Sequence, residues 1–394
     1  MTHAMDRADL LAPMAPEFRL LCLAARAAGP EEFAATCAKV GDWGAVWSGA
    51  LFHRLVAPLE ATIGRAAPGV VPKGLVQDLQ RQVIVESLQC RKLAAELTVL
   101  VQRFEAAAIP VLVLKGIALS IHLYGAPASR GLGDIDLLVA PAELKRADRV
   151  LRQAGYRRKG AAFIEYPAGP RHARIKDICY VHGDTKVVVE LHQRLTENPH
   201  LLPWAHEDLW RQREFVEVEG TAVPVMPAHL LPVYLAVHGA GHCWERLRWL
   251  ADLADLLRPG RQAKQALATA REMGLARPFG DALALCHHWL GLPVDASLLP
   301  APGTLSPFIR RFFAGNRWNH SPRPGDLEWL RRQSLWGRLH RLSLRTEWRY
   351  QAWELVATLI WPPDWEVIRL PDSLFWLYPA LRPLGWILRR RHRP

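Results

Sequence analysis

The spacing of apolar residues divides the chain into three stretches with different periodicity. From residue 17 to residue 108 the apolar positions recur every three or four residues, which predicts helices. Between residues 109 and 226, short β-branched runs alternate with short helical segments, and after Pro227 the helical periodicity returns. We therefore predict an N-terminal helical region (1–108), a small α/β core (109–226) and a C-terminal helical region (227–394).

The core stretch predicts elements in the order β-α-β-α-β. A helix that ends at Gly125 separates the first two strands, and an amphipathic helix over 142–156, with a glycine at its end, separates the second from the third. Pro141 stops the second strand. The predicted strands are 109–116, 134–140 and 184–193, with an extra strand expected around 176–182.

The net charge of the chain indicates which class of partner it binds. The net charge is +12 and the pI is about 9.7, which favours an anionic partner such as a nucleotide, a nucleic acid or an anionic membrane surface. Arginine and tryptophan are concentrated in residues 310–394, and this combination suits single-stranded nucleic acid. We do not expect a nucleic acid to be the partner, because no RRM, KH or helix-turn-helix signature is present.

Cysteine usage and hydropathy favour a cytoplasmic protein. The six cysteines are scattered without a CxxC pair, which predicts neither a disulfide framework nor a zinc ribbon. The N-terminus has mixed charge and lacks the features of a signal peptide. Residues 370–388 are the nearest approach to a spanning helix, but Asp372, Arg382 and three prolines interrupt them. We expect this segment to pack as a core or surface helix, with peripheral membrane contact as the alternative.

Two aspartates interrupt the apolar run "RGLGDIDLLV". Residues i and i+2 of a strand project from the same face, so Asp134 and Asp136 point together while Ile135 and Leu137 pack on the other side. Adjacent carboxylates destabilise each other unless a cation lies between them. Mg²⁺ binds carboxylate oxygens and keeps positions for phosphate. The pair therefore predicts a metal site.

The spacing alone is weak support, because acidic pairs two residues apart occur four times. Only the first pair is followed by an uninterrupted apolar strand and preceded by a glycine loop, in which Gly133 allows close approach of a ligand. We expect the other pairs to be solvated surface residues. They are Glu217/Glu219, Asp326/Glu328 and Asp364/Glu366.

A third acid, Glu190, ends another apolar strand in "TKVVVELH". Together with Asp134 and Asp136 on a neighbouring strand, it could hold two metal ions, one activating an acceptor hydroxyl and one binding a triphosphate. The alternative is that Glu190 is a strand-end residue paired with Arg194.

These motifs together resemble a known family. Residues 109–192 and the helix around 238–252, about a quarter of the chain, are similar to the uncharacterised bacterial nucleotidyltransferase family of the polymerase-β-like superfamily. The shared features are an LKG strand end, an arginine before a DxD strand, a helix ending in Gly-Tyr and a later E-x-H strand. The resemblance implies an α+β fold, in which a small mixed-sheet nucleotidyltransferase core is flanked by helical regions. It also implies Asp134 and Asp136 as metal ligands and Glu190 as the third acid.

The chain departs from the superfamily at Lys115-Gly116, where a Gly-Ser step usually helps to hold the β- and γ-phosphates. Lys115 could replace that contact as a point charge on phosphate, or it could face solvent at the end of its strand. Arg130 could contact a phosphate oxygen, or it could pair with Asp134 or Asp136 when no metal is bound.

Histidines supply further candidates. His238 and His242 share a helix face, but zinc is not expected because no HExxH glutamate and no third ligand accompany them. The resemblance implies a nucleotide- or acceptor-facing role for His238, His242 and Asp252, whereas Asp252 could instead pair with Arg248 on a solvated helix. His192, on the same strand face as Glu190, could orient the metal site or the acceptor, or be a core histidine.

The leading prediction is a metal-dependent nucleotidyltransferase that uses Mg²⁺ or Mn²⁺. It would transfer a nucleoside monophosphate from an NTP to a hydroxyl of an unknown acceptor, which could be a small molecule, a peptide or a protein. One alternative is a glycosyltransferase-like enzyme that binds a nucleotide-sugar at the same DxD site. The other is a basic module that binds nucleic acid or membrane without catalysis.

Overall fold

The computed structural model describes residues 14–127, 131–159, 175–258, 261–301, 335–360 and 364–391. Its α-helices are α1 (Pro16–Ala25), α2 (Pro30–Cys37), α3 (Trp43–His53), α4 (Val56–Ile63), α5 (Lys73–Ala106), α6 (Ile117–Tyr124), α7 (Leu144–Gln153), α8 (His206–Arg211), α9 (Leu231–Gly241), α10 (Leu247–Leu257), α11 (Arg261–Glu272), α12 (Ala276–Leu290), α13 (Leu335–Ser343), α14 (Trp348–Leu359), α15 (Asp364–Val367) and α16 (Tyr378–Arg391). Its strands are β1 (Val111–Val113), β2 (Asp134–Val139), β3 (Tyr156–Arg158), β4 (Asp177–His182), β5 (Val188–His192), β6 (Glu214–Val218) and β7 (Thr221–Val225).

The predicted α+β class is confirmed, because helices flank one mixed sheet. The strand order is β3-β4-β5-β2-β1-β7-β6. β2 pairs in parallel with β5 and antiparallel with β1, while β1 pairs in parallel with β7. The centre of the sheet is therefore β5-β2-β1, and these are the three strands predicted from the core stretch.

Local sequence explains most of the elements. The helix predicted to end at Gly125 does so, and the glycine adopts the left-handed conformation that terminates helices. The third predicted strand is shorter than expected, because a turn precedes it in which Lys186 has a φ of 60°. The extra strand around 176–182 is present as β4, whereas β3 was not predicted because its three residues follow the α7 glycine directly.

The two faces of β2 pack against different sets of helices. Ile135, Leu137 and Val139 are buried in a cluster with residues of α5 and α7, as predicted. Leu138 lies on the opposite face, in a second cluster that includes Tyr234 of α9. Because side chains alternate along a strand, Asp136 shares the face of Leu138. The acidic face of β2 is therefore the one covered by the C-terminal helices.

The second cluster joins helices from both ends of the chain. The ring of Phe18 in α1 contacts that of Trp289 in α12 edge to face, with centroids 5.3 Å apart. Residues of α1, α3, α9, α10 and α12 contribute to the same core. The first and third of the three predicted regions therefore share one core. The division of the chain into three domains stays a prediction.

The remaining acidic pairs have different surroundings. Glu217 and Glu219 are exposed at the β6–β7 hairpin, as expected, while Asp326 and Glu328 lie outside the described residues. The expectation that Asp364 is solvated is wrong, because its side chain is buried. The cause is the packing of α15, whose Trp365 contacts Phe375 and Tyr378 against the sheet core.

Part of the segment 370–388 packs against the protein, as expected for a core or surface helix, while Trp376, Leu384 and Ile387 are exposed. Phe375 and Tyr378 are buried in the cluster that contains the sheet, and the Tyr378 hydroxyl donates to the carbonyl of Ile368 at 2.8 Å. Among the described helices, none has the length and apolar character needed to cross a membrane.

Candidate functional site

The carboxylates of β2 and β5 lie side by side because the two strands are parallel and in register. Asp136 pairs with Glu190, and Asp134 pairs with Val188 two residues earlier. The predicted proximity of Asp134, Asp136 and Glu190 on one sheet face therefore follows from the pairing. Asp136 is 1% exposed, whereas the Glu190 side chain is 32% exposed and can be reached from solvent.

Asp136 is held by a different residue at each of its oxygens. The Lys115 ammonium lies 2.8 Å from Oδ2, and His192 Nε2 lies 3.1 Å from Oδ1. Burial alone would raise the pKa of Asp136, but the Lys115 charge and the His192 hydrogen bond hold it well below its usual value. Burial and the neighbouring charge of Asp136 instead raise the pKa of Asp134. One carboxylate of the pair is therefore stabilised as an anion and the other is not.

Lys115 does not face solvent. Its side chain is 16% exposed and points to Asp136, so the solvent-facing alternative is wrong. Burial opposes the ammonium form, but the charges of Asp136 and Asp134 raise the pKa of Lys115 above its usual value. The next residue, Gly116, has a φ of 70°, a conformation that L side chains rarely adopt. The turn lies directly after Lys115, whose side chain reaches Asp136 on the neighbouring strand β2.

His192 connects Asp136 to two further acids. Its Nε2 is 3.5 Å from Glu190 Oε2, and its Nδ1 is 3.7 Å from Asp177 Oδ2 on β4. Asp177 is in turn paired with Lys176 at 2.7 Å. The ring is buried, and it belongs to the acidic cluster rather than to an apolar core.

The donor atoms fit a divalent metal ion. Within the described part of the chain, the one group of histidine, cysteine or acidic residues that could hold a metal is Asp136, Glu190 and His192, whose ligand atoms lie within 4.8 Å of one another. Asp134 is not in this group, although it was predicted to be a ligand. Two carboxylates and an imidazole suit Mn²⁺ and accept Mg²⁺ less readily, because Mg²⁺ prefers oxygen ligands.

The loop before β2 contacts an arginine that was not identified from the sequence. Arg54 Nη1 donates to the Gly131 carbonyl at 3.2 Å, and a Cβ placed on Gly133 would lie 3.1 Å from Arg54 Nη2. The Arg54 charge also favours the anionic form of Asp134. Arg54 follows α3, 77 residues before Gly131, and no local pattern in the sequence signals this contact. Arg130 lies outside the described residues.

His238 and His242 form an aromatic cluster with Trp249. The two imidazole centroids are 4.7 Å apart, and they lie 5.3 and 5.2 Å from the Trp249 ring. Burial and the neighbouring His242 hold the pKa of His238 well below its usual value, and the Lys115 charge adds to this effect. His238 is therefore neutral at physiological pH. Its role towards a nucleotide stays a prediction.

Asp252 forms the ion pair with Arg248 that was the alternative to a role at the nucleotide or acceptor, with 3.0 Å between Oδ1 and Nε. The expectation that this pair is solvated is wrong, because the two side chains are 1% and 4% exposed. The Tyr124 hydroxyl also lies 3.3 Å from Asp252 Oδ1 and donates to Asp255 at 2.7 Å. Packing of α10 against α6 buries this face.

The comparisons with known proteins bear on the family. A solved structure, that of an antigenic nucleotidyltransferase-like protein from Paracoccidioides brasiliensis, is 14% identical, covers 52% of this chain and 95% of that chain, and has a TM-score of 0.32, which is too low to transfer any property. No curated protein matches the chain. The family model described as "Uncharacterised nucleotidyltransferase" matches residues 39–291, well over half of the chain. The bacterial and polymerase-β parts of the resemblance stay predictions, but the chain belongs to this uncharacterised nucleotidyltransferase family.

Proposed function

We propose that this protein is a metal-dependent nucleotidyltransferase that transfers a nucleoside monophosphate from an NTP to a hydroxyl group. The observation that carries the proposal is the group Asp136, Glu190 and His192, with Asp134 beside it on the same strand. Membership of the family supports a nucleotide donor. A bound Mg²⁺ or Mn²⁺ would stabilise the charge that develops on the phosphate oxygens.

In the proposed reaction the acceptor hydroxyl oxygen forms a bond to the α-phosphorus of the NTP. The bond from that phosphorus to the α,β-bridging oxygen breaks, and pyrophosphate leaves with the electron pair. The hydroxyl proton passes to the Glu190 carboxylate and from there to solvent, which its partial exposure supports. Asp136 stays ionised because Lys115 and His192 stabilise its charge.

Cations and glycines around the acidic face would bind the phosphates. Arg54 binds the Gly131 carbonyl of the loop before β2, Lys115 binds Asp136, and both charges favour the anionic form of Asp134. We include Arg130 on the basis of its position before β2. Gly116 and Gly133 leave space for close approach, since a side chain at either would be strained or would meet Arg54. His238, His242 and Asp252 are proposed to shape the nucleotide or acceptor side from α9 and α10.

A binding experiment tests the donor class. Melting temperatures are measured with Mn²⁺ and a panel of NTPs and nucleotide-sugars. NTPs are expected to raise the melting temperature by a few degrees, because a ligand that binds only the folded state stabilises it. The shift should disappear in the double variant Asp134→Asn with Asp136→Asn. It should remain in Glu217→Gln with Glu219→Gln, an exposed acidic pair with the same spacing.

The outcomes separate the alternatives. A shift with nucleotide-sugars and none with NTPs would favour the glycosyltransferase-like enzyme. If neither class shifts the melting temperature in a metal-dependent way, the proposed function is wrong. Transfer itself is followed with NTPs labelled at the α-phosphate, because the label then moves to the acceptor whatever its identity.

A further inference from the structure

Asp136 has a cation on one side and candidate metal ligands on the other. The Lys115 ammonium approaches Oδ2 from the β1 side, at 2.8 Å. Glu190 and His192 lie on the β5 side, with His192 bonded to Oδ1. The two oxygens of this carboxylate are thus directed to opposite neighbours.

We propose that the Lys115 ammonium takes the place of one of two metal ions, so that the site binds a single divalent ion through Asp136, Glu190 and His192. This inference rests on the proposed function and replaces the pair of ions expected from the sequence. In two-metal sites the ions lie about 4 Å apart and share a carboxylate between them. A second ion on Asp136 would compete for Oδ2, which Lys115 already binds.

The position of Lys115 is set by the backbone rather than by a flexible surface chain. The residue before it, Leu114, donates its amide to the Asp136 carbonyl at 3.2 Å, and the residue after it turns through the positive φ of Gly116. The lysine side chain between these two backbone constraints is 16% exposed. A lysine held in this way acts as a fixed point charge, which is also what a metal ion supplies to a phosphate.

The charges of the site support one ion. Asp134, Asp136 and Glu190 contribute three negative charges when ionised, and Lys115 neutralises one of them. The remaining two match one divalent cation, since Arg54 is bonded to the Gly131 carbonyl of the preceding loop and is proposed to bind phosphate. The fourth acid of the cluster, Asp177, is paired with Lys176 at 2.7 Å and lies next to His192 Nδ1 rather than next to Asp136.

Mn²⁺ binding to the full chain provides the test, without nucleotide or acceptor. Electron paramagnetic resonance counts bound Mn²⁺ per chain, and anomalous scattering from crystals soaked in Mn²⁺ locates the ions. The wild type is expected to bind one ion and to show no spin-coupled signal. Lys115→Met removes the charge and keeps the side-chain length, so it should bind two ions with a spin-coupled spectrum. Lys115→Arg should still bind one.

Lys176→Met is the matched control, because it removes a lysine of similar exposure (17%, against 16% for Lys115) that pairs with an acid outside the three ligands. It should leave the count at one, because the Asp177 charge that it exposes lies next to His192 and not at the Asp136 Oδ2 that a second ion would occupy. Lys115→Gln is measured in parallel, and circular dichroism establishes that each variant is folded. Two ions in the wild type would overturn the inference, even if every lysine variant failed to fold. A count of one in folded Lys115→Met and Lys115→Gln would also overturn it.

The same titration distinguishes failure of the proposed function. If the wild type binds no Mn²⁺, or if Asp136→Asn binds it as well as the wild type, the metal site itself is wrong and both proposals fail. If the wild type binds two ions and Asp136→Asn binds none, the metal site stands and only the role of Lys115 is wrong.

Discussion

Two buried aspartates in the same α/β unit, Asp148 and Asp136, have different surroundings. Asp148 on α7 accepts hydrogen bonds from both Nε and Nη2 of Arg158 at 2.6 Å, and from the Tyr180 hydroxyl at 2.8 Å. Asp136 on β2 has a lysine and a histidine as partners, but it also has Asp134 and Glu190 as neighbours. Asp148 is therefore fully hydrogen-bonded by an arginine and a tyrosine, whereas Asp136 lies next to two other acids.

The difference separates a structural acid from one suited to binding a cation. A bidentate guanidinium and a hydroxyl satisfy Asp148, so its pKa is lowered despite burial, and a further cation would gain little there. At the β2 face the local carboxylates outnumber Lys115, so an exchangeable cation would stabilise the site. The comparison predicts that substitutions at the two places have opposite consequences for stability and for metal binding.

The largest expected effect is on metal binding in Asp136→Asn. The variant should lose Mn²⁺ affinity by at least about 1000-fold, or about 4 kcal/mol, because even indirect partners of metal ligands change affinity by 10- to 100-fold. The amide also removes the counter-charge that Lys115 contacts directly. Calorimetric titration with Mn²⁺ measures the loss. Unchanged affinity would show that Asp136 is not a ligand.

A paired variant separates loss of the ligand from loss of the fold. Asp136→Asn with Lys115→Met removes both members of the buried ion pair and should be folded, because replacing a buried pair by neutral groups is often tolerated. It should still fail to bind Mn²⁺ tightly. Recovery of tight binding in this double variant would contradict a ligand role for Asp136.

The second prediction concerns Asp148→Asn, which should lower the free energy of unfolding by about 3 kcal/mol. The substitution leaves the half-buried Arg158 guanidinium without this counter-charge, and loss of one partner of a pair that is largely shielded from solvent is costly. Urea unfolding measures the change. Mn²⁺ affinity should equal that of the wild type, so each of the two asparagine variants is the control for the other. Weakened Mn²⁺ binding in Asp148→Asn would contradict the distinction between Asp148 as a structural acid and Asp136 as a metal ligand.

The sequence predicted which acids share a face of the sheet, but it did not predict the partner of Asp136. Strand alternation is local, so the common face of Asp134 and Asp136, and of Glu190 and His192, could be predicted from spacing of two residues. The direction of Lys115 depends on the turn at Gly116 and on a carboxylate from another strand. Neither the alternation nor the motif contains this information.

Contacts from distant parts of the chain could not be predicted either. Arg54 reaches the loop before β2 only because the N-terminal helices pack into the core shared with α9, α10 and α12. Burial of the Arg248–Asp252 pair has the same origin, since the helix pattern alone is compatible with a solvated pair. Periodicity identifies which residues of a helix are apolar, but it does not identify the helix against which they pack.

The third prediction is that Asp134→Asn stabilises the metal-free protein by about 1 kcal/mol at neutral pH. Burial and the charge of Asp136 raise the pKa of Asp134, so the ionised carboxylate costs more in the folded than in the unfolded chain. The amide removes that cost. Urea unfolding in the presence of a chelator measures the gain. Destabilisation would mean that attraction to Lys115 and Arg54 outweighs repulsion within the pair.

The smallest expected effect is the acid dependence of the Asp148 contribution. Because hydrogen bonds from Arg158 and Tyr180 outweigh burial, the pKa of Asp148 is lower in the folded than in the unfolded chain, where it is near 3.8. Its contribution is therefore present above pH 4 and is lost as the pH falls through the lowered value. The difference in unfolding free energy between the wild type and Asp148→Asn should shrink by roughly 0.5 to 1 kcal/mol between pH 5 and pH 3.

Urea unfolding of both proteins at several pH values follows this difference, and subtraction cancels the other titrating groups. A difference that grows on acidification would require a raised pKa for Asp148, as at Asp134, and the two aspartates would then no longer differ in kind. If the difference in unfolding free energy shrinks, the fold itself stabilises the charge of Asp148. The charge of the Asp134/Asp136 pair on β2 then differs in kind, because a bound cation is needed to stabilise it.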